Sequence, residues 1–185
     1  VKFIQFRTKE MSQYDFLKQA LRAVSICNAF DAKLIINDDV DIAAESDSHG
    51  VHLGRGDMNP KQARSLLGHD KIIGTTVHSK DEINQDLLAE SDYIGMGPFR
   101  ESLTKSALSP VLSTLDFSEM IKAVHPIPVY LIGGLLLADM KQRESLGNTG
   151  IAVCSALSST KSLNTASITN FVKEANLANI SPVLS

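Results

Sequence analysis

Apolar residues along this chain gather into short runs rich in β-branched side chains, each followed by a longer stretch with helical spacing. The runs are 2–6, 34–36, 50–53, 72–77, 93–96, 128–132 and 150–153. They are apolar nearly throughout rather than alternating, as strands covered on both faces are. Between the first two runs, Tyr14, Leu17, Leu21 and Val24 fall on one helical face after Ser12. Ala63, Leu66 and Leu67 do the same after the turn Asn59-Pro60. Regular alternation of strand and helix predicts an α/β fold with a parallel sheet and right-handed crossovers.

An open doubly wound sheet and a closed barrel both meet that description. No Gly-x-Gly-x-x-Gly follows the first run, which argues against a dinucleotide-binding sheet. The expectation is therefore a (β/α)8 TIM barrel forming a single domain over 1–185. A full barrel has eight units and about 250 residues, down to about 200. Seven runs, the first at the very start of the chain, predict that the first β/α unit is lacking from this sequence.

Composition narrows the function classes. Eighteen basic and 21 acidic residues leave a net charge of −3, which argues against a non-specific nucleic-acid surface. The longest apolar stretch, 127–138, is too short to span a bilayer and holds Gly133 and Gly134. The N-terminus has no signal-peptide pattern. Cys27 and Cys154 sit in apolar contexts without metal-ligand spacing, so both are expected as small core residues. A cytoplasmic location is the corresponding expectation.

Position then separates the polar residues. A barrel carries its chemistry where strands end. Leaving the runs in order are Gln5, Arg7 and Lys9; Asn37 and Asp38; Gly54 and Asp57; Thr76 and His78. Gly97, Ser102, Thr104, Lys105, Gly133, Gly134 and Ser155 complete the set. Arg7, Lys9 and Lys105 suit phosphate oxygens, Arg as a planar fork and Lys as a point charge. Ser102 and Thr104 lie on a loop able to wrap a phosphate. Gly134 and Ser155 stand at the last two strand ends, where barrels offer backbone N–H groups to phosphate. Asp38 and Asp57 supply hard oxygens from neighbouring strand ends, a donor set for Mg²⁺ together with substrate phosphate and water.

Each residue also has a plainer explanation. Asp38 could serve only as a helix N-terminal acid, and Asp57 as a turn residue ahead of Pro60. His78 could be a structural hydrogen-bonder. His49 and His52 lack metal-ligand company and are assigned no role, and Arg55-Gly56-Asp57 is a coincidental tripeptide. These explanations do not account for so many polar groups on one rim.

The segments Gln5-Phe-Arg-Thr-Lys9, Ile35-Ile-Asn-Asp38, Gly50-Val-His-Leu-Gly54 with Asp57, and Ile73-Gly-Thr-Thr-Val-His78 resemble thiamine phosphate synthase and its relative, the thiazole tautomerase. So do Asp92-Tyr-Ile-Gly-Met-Gly-Pro98, Leu103-Thr-Lys105, Ile132-Gly-Gly134 and Ala152-Val-Cys-Ser-Ala156, in order along nearly the whole chain. The resemblance implies a transferase of thiamine biosynthesis that joins hydroxymethylpyrimidine diphosphate to thiazole phosphate and releases diphosphate. It implies that Gln5, Arg7, Lys9 and Asn37 contact the pyrimidine diphosphate, and that Asp38 and Asp57 hold Mg²⁺. Lys105 is implied at the diphosphate, Thr76 near the reacting groups, and Ser102, Thr104, Gly134 and Ser155 around the thiazole phosphate. Lys105, Thr76 and Arg7 are the groups it places in the reaction itself.

Departures from the family pattern are Arg55 for a usual Gln, exchanged hydroxyl residues at Thr76 and Ser102, and Ser113 for a usual Gly. None removes a charged group. A tautomerase-type isomerase could dispense with Asp38 and Asp57, so their presence favours the synthase. A non-catalytic phosphate-binding barrel is the third alternative. Small-molecule substrates are the expected partners, without nucleic acid or membrane; a homo-oligomer stays open.

Overall fold

The computed structural model describes residues 2–8, 10–100, 110–147, 149–158, 168–169 and 172–173. They fall into two compact units: Val1–Thr76 with Asn84–Tyr93, and Val77–Ile83 with Ile94–Ser185. Strand and helix alternate through both, which is the α/β succession that the sequence predicts.

In the first unit, β1 (Phe3–Phe6), β2 (Lys33–Asn37), β3 (Gly50–Leu53) and β4 (Ile72–Val77, whose last residue belongs to the second unit) pair in parallel, in that order. The helices between them are α1 (Gln13–Ala29), α2 (Val40–Glu45) and α3 (Pro60–Leu67), and α4 (Gln85–Glu90) follows β4. Side chains that accept an orphan N–H start each helix: Ser12 for α1, Asp39 for α2, Asn59 for α3 and Asn84 for α4.

One face of this sheet carries Leu34, Ile36, Val51, Leu53 and Ile73, buried with Phe16, Ala20, Val40, Ile42, Ala43 and Ala63 in one apolar cluster. Full burial of each large side chain contributes about 1.5–3 kcal/mol. Register puts Ile35, Gly50, Asn37, His52, Gly74 and Thr76 on the other face, because parallel partners share a face and neighbours along a strand do not. The inner positions of β2, β3 and β4 are buried on both faces, as the sequence predicts, but only one of those faces is wholly apolar. One face is core, and the other carries glycines and polar groups toward its C-terminal end.

Two further expectations need correction. The buried residues of α1 are Phe16, Ala20 and Cys27, spaced i, i+4 and i+11. Leu17, Ala23 and Val24 pack against them partly buried, whereas Tyr14 is 74% and Leu21 50% exposed. Phe16 fixes this rotation by meeting Phe6 edge-on, with ring centroids 5.3 Å apart. Strand β1 is also not covered on both faces: Ile4 and Gln5 are exposed.

In the second unit, β5 (Tyr93–Met96), whose first residue belongs to the first unit, leads to β6 (Val129–Leu131) and β7 (Gly150–Ile151), again paired in parallel. Helices α5 (Thr114–Val124), α6 (Met140–Glu144) and α7 (Ser155–Ser158) accompany them. Helix α5 buries Phe117, Met120 and Val124, and Phe117 meets Phe99 at 5.4 Å. Ser113 begins α5 with a reciprocal cap: its hydroxyl accepts the Asp116 N–H at 3.1 Å, and Asp116 accepts the Ser113 N–H at 2.8 Å. Cys27 is buried as expected, whereas Cys154 is exposed, because β7 has already ended when the chain reaches it. Among the described residues, no helix is long and apolar enough to cross a membrane.

Candidate active site

At the C-terminal end of β2 the chain turns at Asp38, whose φ of +69° lies in the left-handed region. Few side chains adopt that region without strain, and aspartate is among those that do. The Asp38 N–H still donates to the His52 carbonyl at 2.8 Å, so the turn is tied to β3. Capping of α2 falls to the next residue. Asp39 accepts the Ile42 N–H at 2.9 Å and the Gln13 amide at 2.8 Å. The plain explanation of Asp38 as a helix cap therefore belongs to Asp39, and Asp38 is exposed at the strand end.

Asp57 follows the neighbouring strand β3. Its Oδ2 accepts the Gly54 N–H at 2.6 Å, and its own N–H donates to the Gly54 carbonyl at 3.1 Å. A side chain at Gly54 would crowd this loop, its Cβ lying 3.1 Å from Asp57 Oδ2. Asp57 is thus a turn residue in fact, and its carboxylate stays at the C-terminal end of β3. Asn59, not Asp57, caps α3.

Thr76 is buried near the end of β4, where its Oγ1 lies 2.7 Å from His52 Nε2. His52 Nδ1 lies 2.9 Å from the Tyr93 hydroxyl, and the two rings stack with centroids 5.4 Å apart. Gly74 makes room for this: a Cβ there would sit 2.0 Å from Tyr93 Cζ. Gln5 shares a face with Ile35 by register, and Arg7 is exposed just past β1. The first unit thus places Gln5, Asn37, Asp38, Asp57 and Thr76 along the C-terminal ends of four adjacent strands.

The second unit offers mainly backbone. After β6, Gly133 and Gly134 have φ of +85° and +71°. A Cβ on Gly133 would lie 2.9 Å from Pro98 Cα. Its carbonyl accepts the N–H groups of Phe99 at 3.1 Å and Arg100 at 3.0 Å. The Arg100 guanidinium forks onto Asp139, with Nε 3.0 Å from both carboxylate oxygens. Arg100 beside Asp139 holds that carboxyl below its ordinary range, against an opposing effect of burial. Asp139 also accepts the Leu136 N–H at 2.8 Å, so one carboxylate ties the chain after β5 to the chain after β6.

Ser155 opens α7, with residues 152–154 between it and the end of β7. His78 makes a structural hydrogen bond, its Nδ1 donating to the Gly97 carbonyl at 2.6 Å. His49 is likewise structural, accepting the Leu34 N–H at 3.1 Å. Lys9, Ser102, Thr104 and Lys105 lie outside the described residues.

Sequence reasoning missed His52, Tyr93, Arg100 and Asp139. His52 had a signal, as the one polar side chain inside the run Gly50-Val-His-Leu53. Arg100 and Asp139 are 39 residues apart, and no spacing pattern joins them.

The thiamine monophosphate synthase family profile matches residues 1–157. The chain belongs to that family. It is 39% identical over 160 residues to the thiamine-phosphate synthase of Bacteroides fragilis, covering 84% of this chain and 78% of that protein. It is 37% identical over 155 residues to that of Flavobacterium johnsoniae, covering 82% and 73%. Among solved structures, the thiamine phosphate pyrophosphorylase of Pyrococcus furiosus superposes with a TM-score of 0.78 at 24% identity, over 96% of this chain and 84% of that one. This last likeness is one of fold. The relatives are named as enzymes, thiamine-phosphate synthases, and this chain is an enzyme of that family.

Proposed function

We propose that this protein is a thiamine phosphate synthase, built on a β/α barrel of the TIM type that forms one domain over 1–185. It joins hydroxymethylpyrimidine diphosphate to thiazole phosphate and releases diphosphate. The observation that carries the reading is the division of labour between Asp38 and Asp39. Asp39 does the capping, while Asp38 keeps a left-handed backbone and an exposed carboxylate at the strand end.

Asp38 and Asp57 fit Mg²⁺. They are hard oxygen donors at adjacent strand ends, and among the described residues no group of three or more His, Cys, Asp or Glu could hold a metal. One or two carboxylates completed by substrate phosphates and water is the usual protein share of a Mg²⁺ site. Bound there, the ion would neutralise charge on the diphosphate.

The chain's own residues do the rest. Arg7 and Lys9 hold the diphosphate as fork and point charge, and Gln5 and Asn37 orient the pyrimidine. Lys105 meets the negative charge that grows as the carbon–oxygen bond breaks, aid that strengthens towards the transition state. Thr76 places a hydroxyl near the reacting groups. Ser102 and Thr104 bind the thiazole phosphate, with N–H groups at Gly134 and Ser155. Holding both reactants in line removes much of the entropic barrier to their meeting.

A Mg²⁺ titration of product formation tests this reading. Asp38→Asn and Asp57→Asn are each expected to move the titration to higher Mg²⁺ and lower its plateau. Identical titrations for both variants and the parent would remove these residues from the site.

A further inference from the structure

We propose that His52 is a positioning residue that turns the Thr76 hydroxyl proton towards the substrate. This rests on the reading above, in which Thr76 places its hydroxyl near the reacting groups.

The geometry is a three-member chain: Tyr93 hydroxyl, His52 Nδ1 at 2.9 Å, and Thr76 Oγ1 at 2.7 Å from Nε2. His52 is 7% and Thr76 8% exposed, so water has little part in this arrangement. A neutral imidazole has one N–H and one bare nitrogen, so the chain can run in only two directions. In one, Tyr93 donates to Nδ1 and Nε2–H donates to Thr76. In the other, Thr76 donates to Nε2 and Nδ1–H donates to Tyr93.

The two hydroxyls are unequal. A phenol is far more acidic than an alcohol, so it is the better donor and the poorer acceptor. Tyr93 therefore takes the donor end, and the imidazole carries its proton on Nε2. Thr76 then accepts from His52, and its own proton points to a partner other than the histidine. With the opposite tautomer Thr76 would spend that proton on His52 and show only lone pairs. The phosphates of the substrate accept hydrogen bonds and donate none when ionised, so the first direction suits the ligand and the second does not.

The frame around the chain supports a dedicated arrangement. His52 and Gly74 are register partners, Thr76 is two residues along on the same face, and the Tyr93 ring occupies the space a Gly74 side chain would take. Stacking on His52 fixes the ring at an interplanar angle of 24°.

The direct test is a long-range ¹H–¹⁵N correlation spectrum of the whole chain labelled at its five histidines, with His52 assigned from the signals lost in His52→Gln. Expected is a protonated Nε2 and a bare Nδ1. In Tyr93→Phe, which removes the donor to Nδ1, a population with Nδ1–H should appear. A wild-type ring protonated on Nδ1, or on both nitrogens, overturns the proposal, as does a Tyr93→Phe ring unchanged from the parent.

Kinetics provide the second arm. His52→Gln can place an amide N–H where Nε2–H was, and should keep kcat within about 3-fold of the parent. His52→Leu should lower kcat by roughly 10–100-fold with little change in KM, the scale on which outer partners act. In a Thr76→Val background, His52→Leu should cost nothing more, since the two act as one unit. Additive losses would mark His52 as merely structural. If Thr76→Val has no effect while the parent makes product, the proposal fails and the synthase reading stands.

Discussion

The two units present their strand ends in different currencies. The first offers side chains: Asn37, Asp38, Asp57 and Thr76, each at or just past the end of a parallel strand. The second, among its described residues, offers backbone: two glycines with positive φ after β6, braced by the Gly133 carbonyl and the Arg100–Asp139 pair. Side chains of fixed charge suit a metal-bound diphosphate. Backbone N–H groups suit a phosphate held by many donors of modest strength. Under the proposed function the two halves have separate work, side chains for the diphosphate and backbone donors for the thiazole phosphate.

Replacing the charge on one lysine should produce the largest effect. Lys105→Ala is expected to lower kcat for thiamine phosphate formation by about 10²–10³, or roughly 3–4 kcal/mol. A lysine that only holds phosphate in the ground state would raise KM instead. Steady-state kinetics at saturating substrate distinguish these outcomes, and an unchanged kcat would end the proposed role.

Asp38→Gly sharpens the comparison from the side-chain half. Glycine accepts a φ of +69° without steric cost, so thermal stability should hold within about 1 kcal/mol while Mg²⁺-dependent turnover falls by at least about 10-fold. A large loss of stability with activity retained would make Asp38 a structural residue.

Gly134→Ala probes the backbone half. A Cβ at φ +71° costs about 1–2 kcal/mol, which chemical denaturation would register. KM for the thiazole phosphate should rise, with KM for the pyrimidine diphosphate unmoved. Equal changes in both would deny the two sites their separate construction.

The smallest effect concerns acid. Asp139 has a folded pKa below its unfolded value of about 3.9, with Arg100 as the chief cause. Its contribution to stability is therefore complete above that value and lost as pH falls through the folded one. Asp139→Asn should be less stable than the parent at neutral pH, and the gap should narrow below about pH 4. A gap that stays constant from pH 7 to pH 3 would contradict the assignment.

Much of this was legible before any coordinates. Six of seven strands fall within one residue of the sequence-predicted runs at both ends, since β-branched clusters mark them sharply. Strand β7, at Gly150–Ile151, ends two residues early and is only half the predicted length. The rotation of α1 was misread because Leu21 and Cys27 are both apolar, and only packing against Phe6 chooses between their faces. Charged strand ends could be read because position along the run locates them. The His52 chain could not, because its direction depends on register between β3, β4 and Tyr93. Nor could the choice of Asp39 over Asp38 as cap, which a single backbone dihedral decides.

The central claim is that these strand ends make thiamine phosphate. It is tested most directly by incubating the purified protein with hydroxymethylpyrimidine diphosphate and thiazole phosphate, with and without Mg²⁺, and measuring thiamine phosphate and diphosphate. The account predicts both products in equal amounts, with Mg²⁺ required. Neither product formed by folded protein at saturating substrates and Mg²⁺ would contradict it.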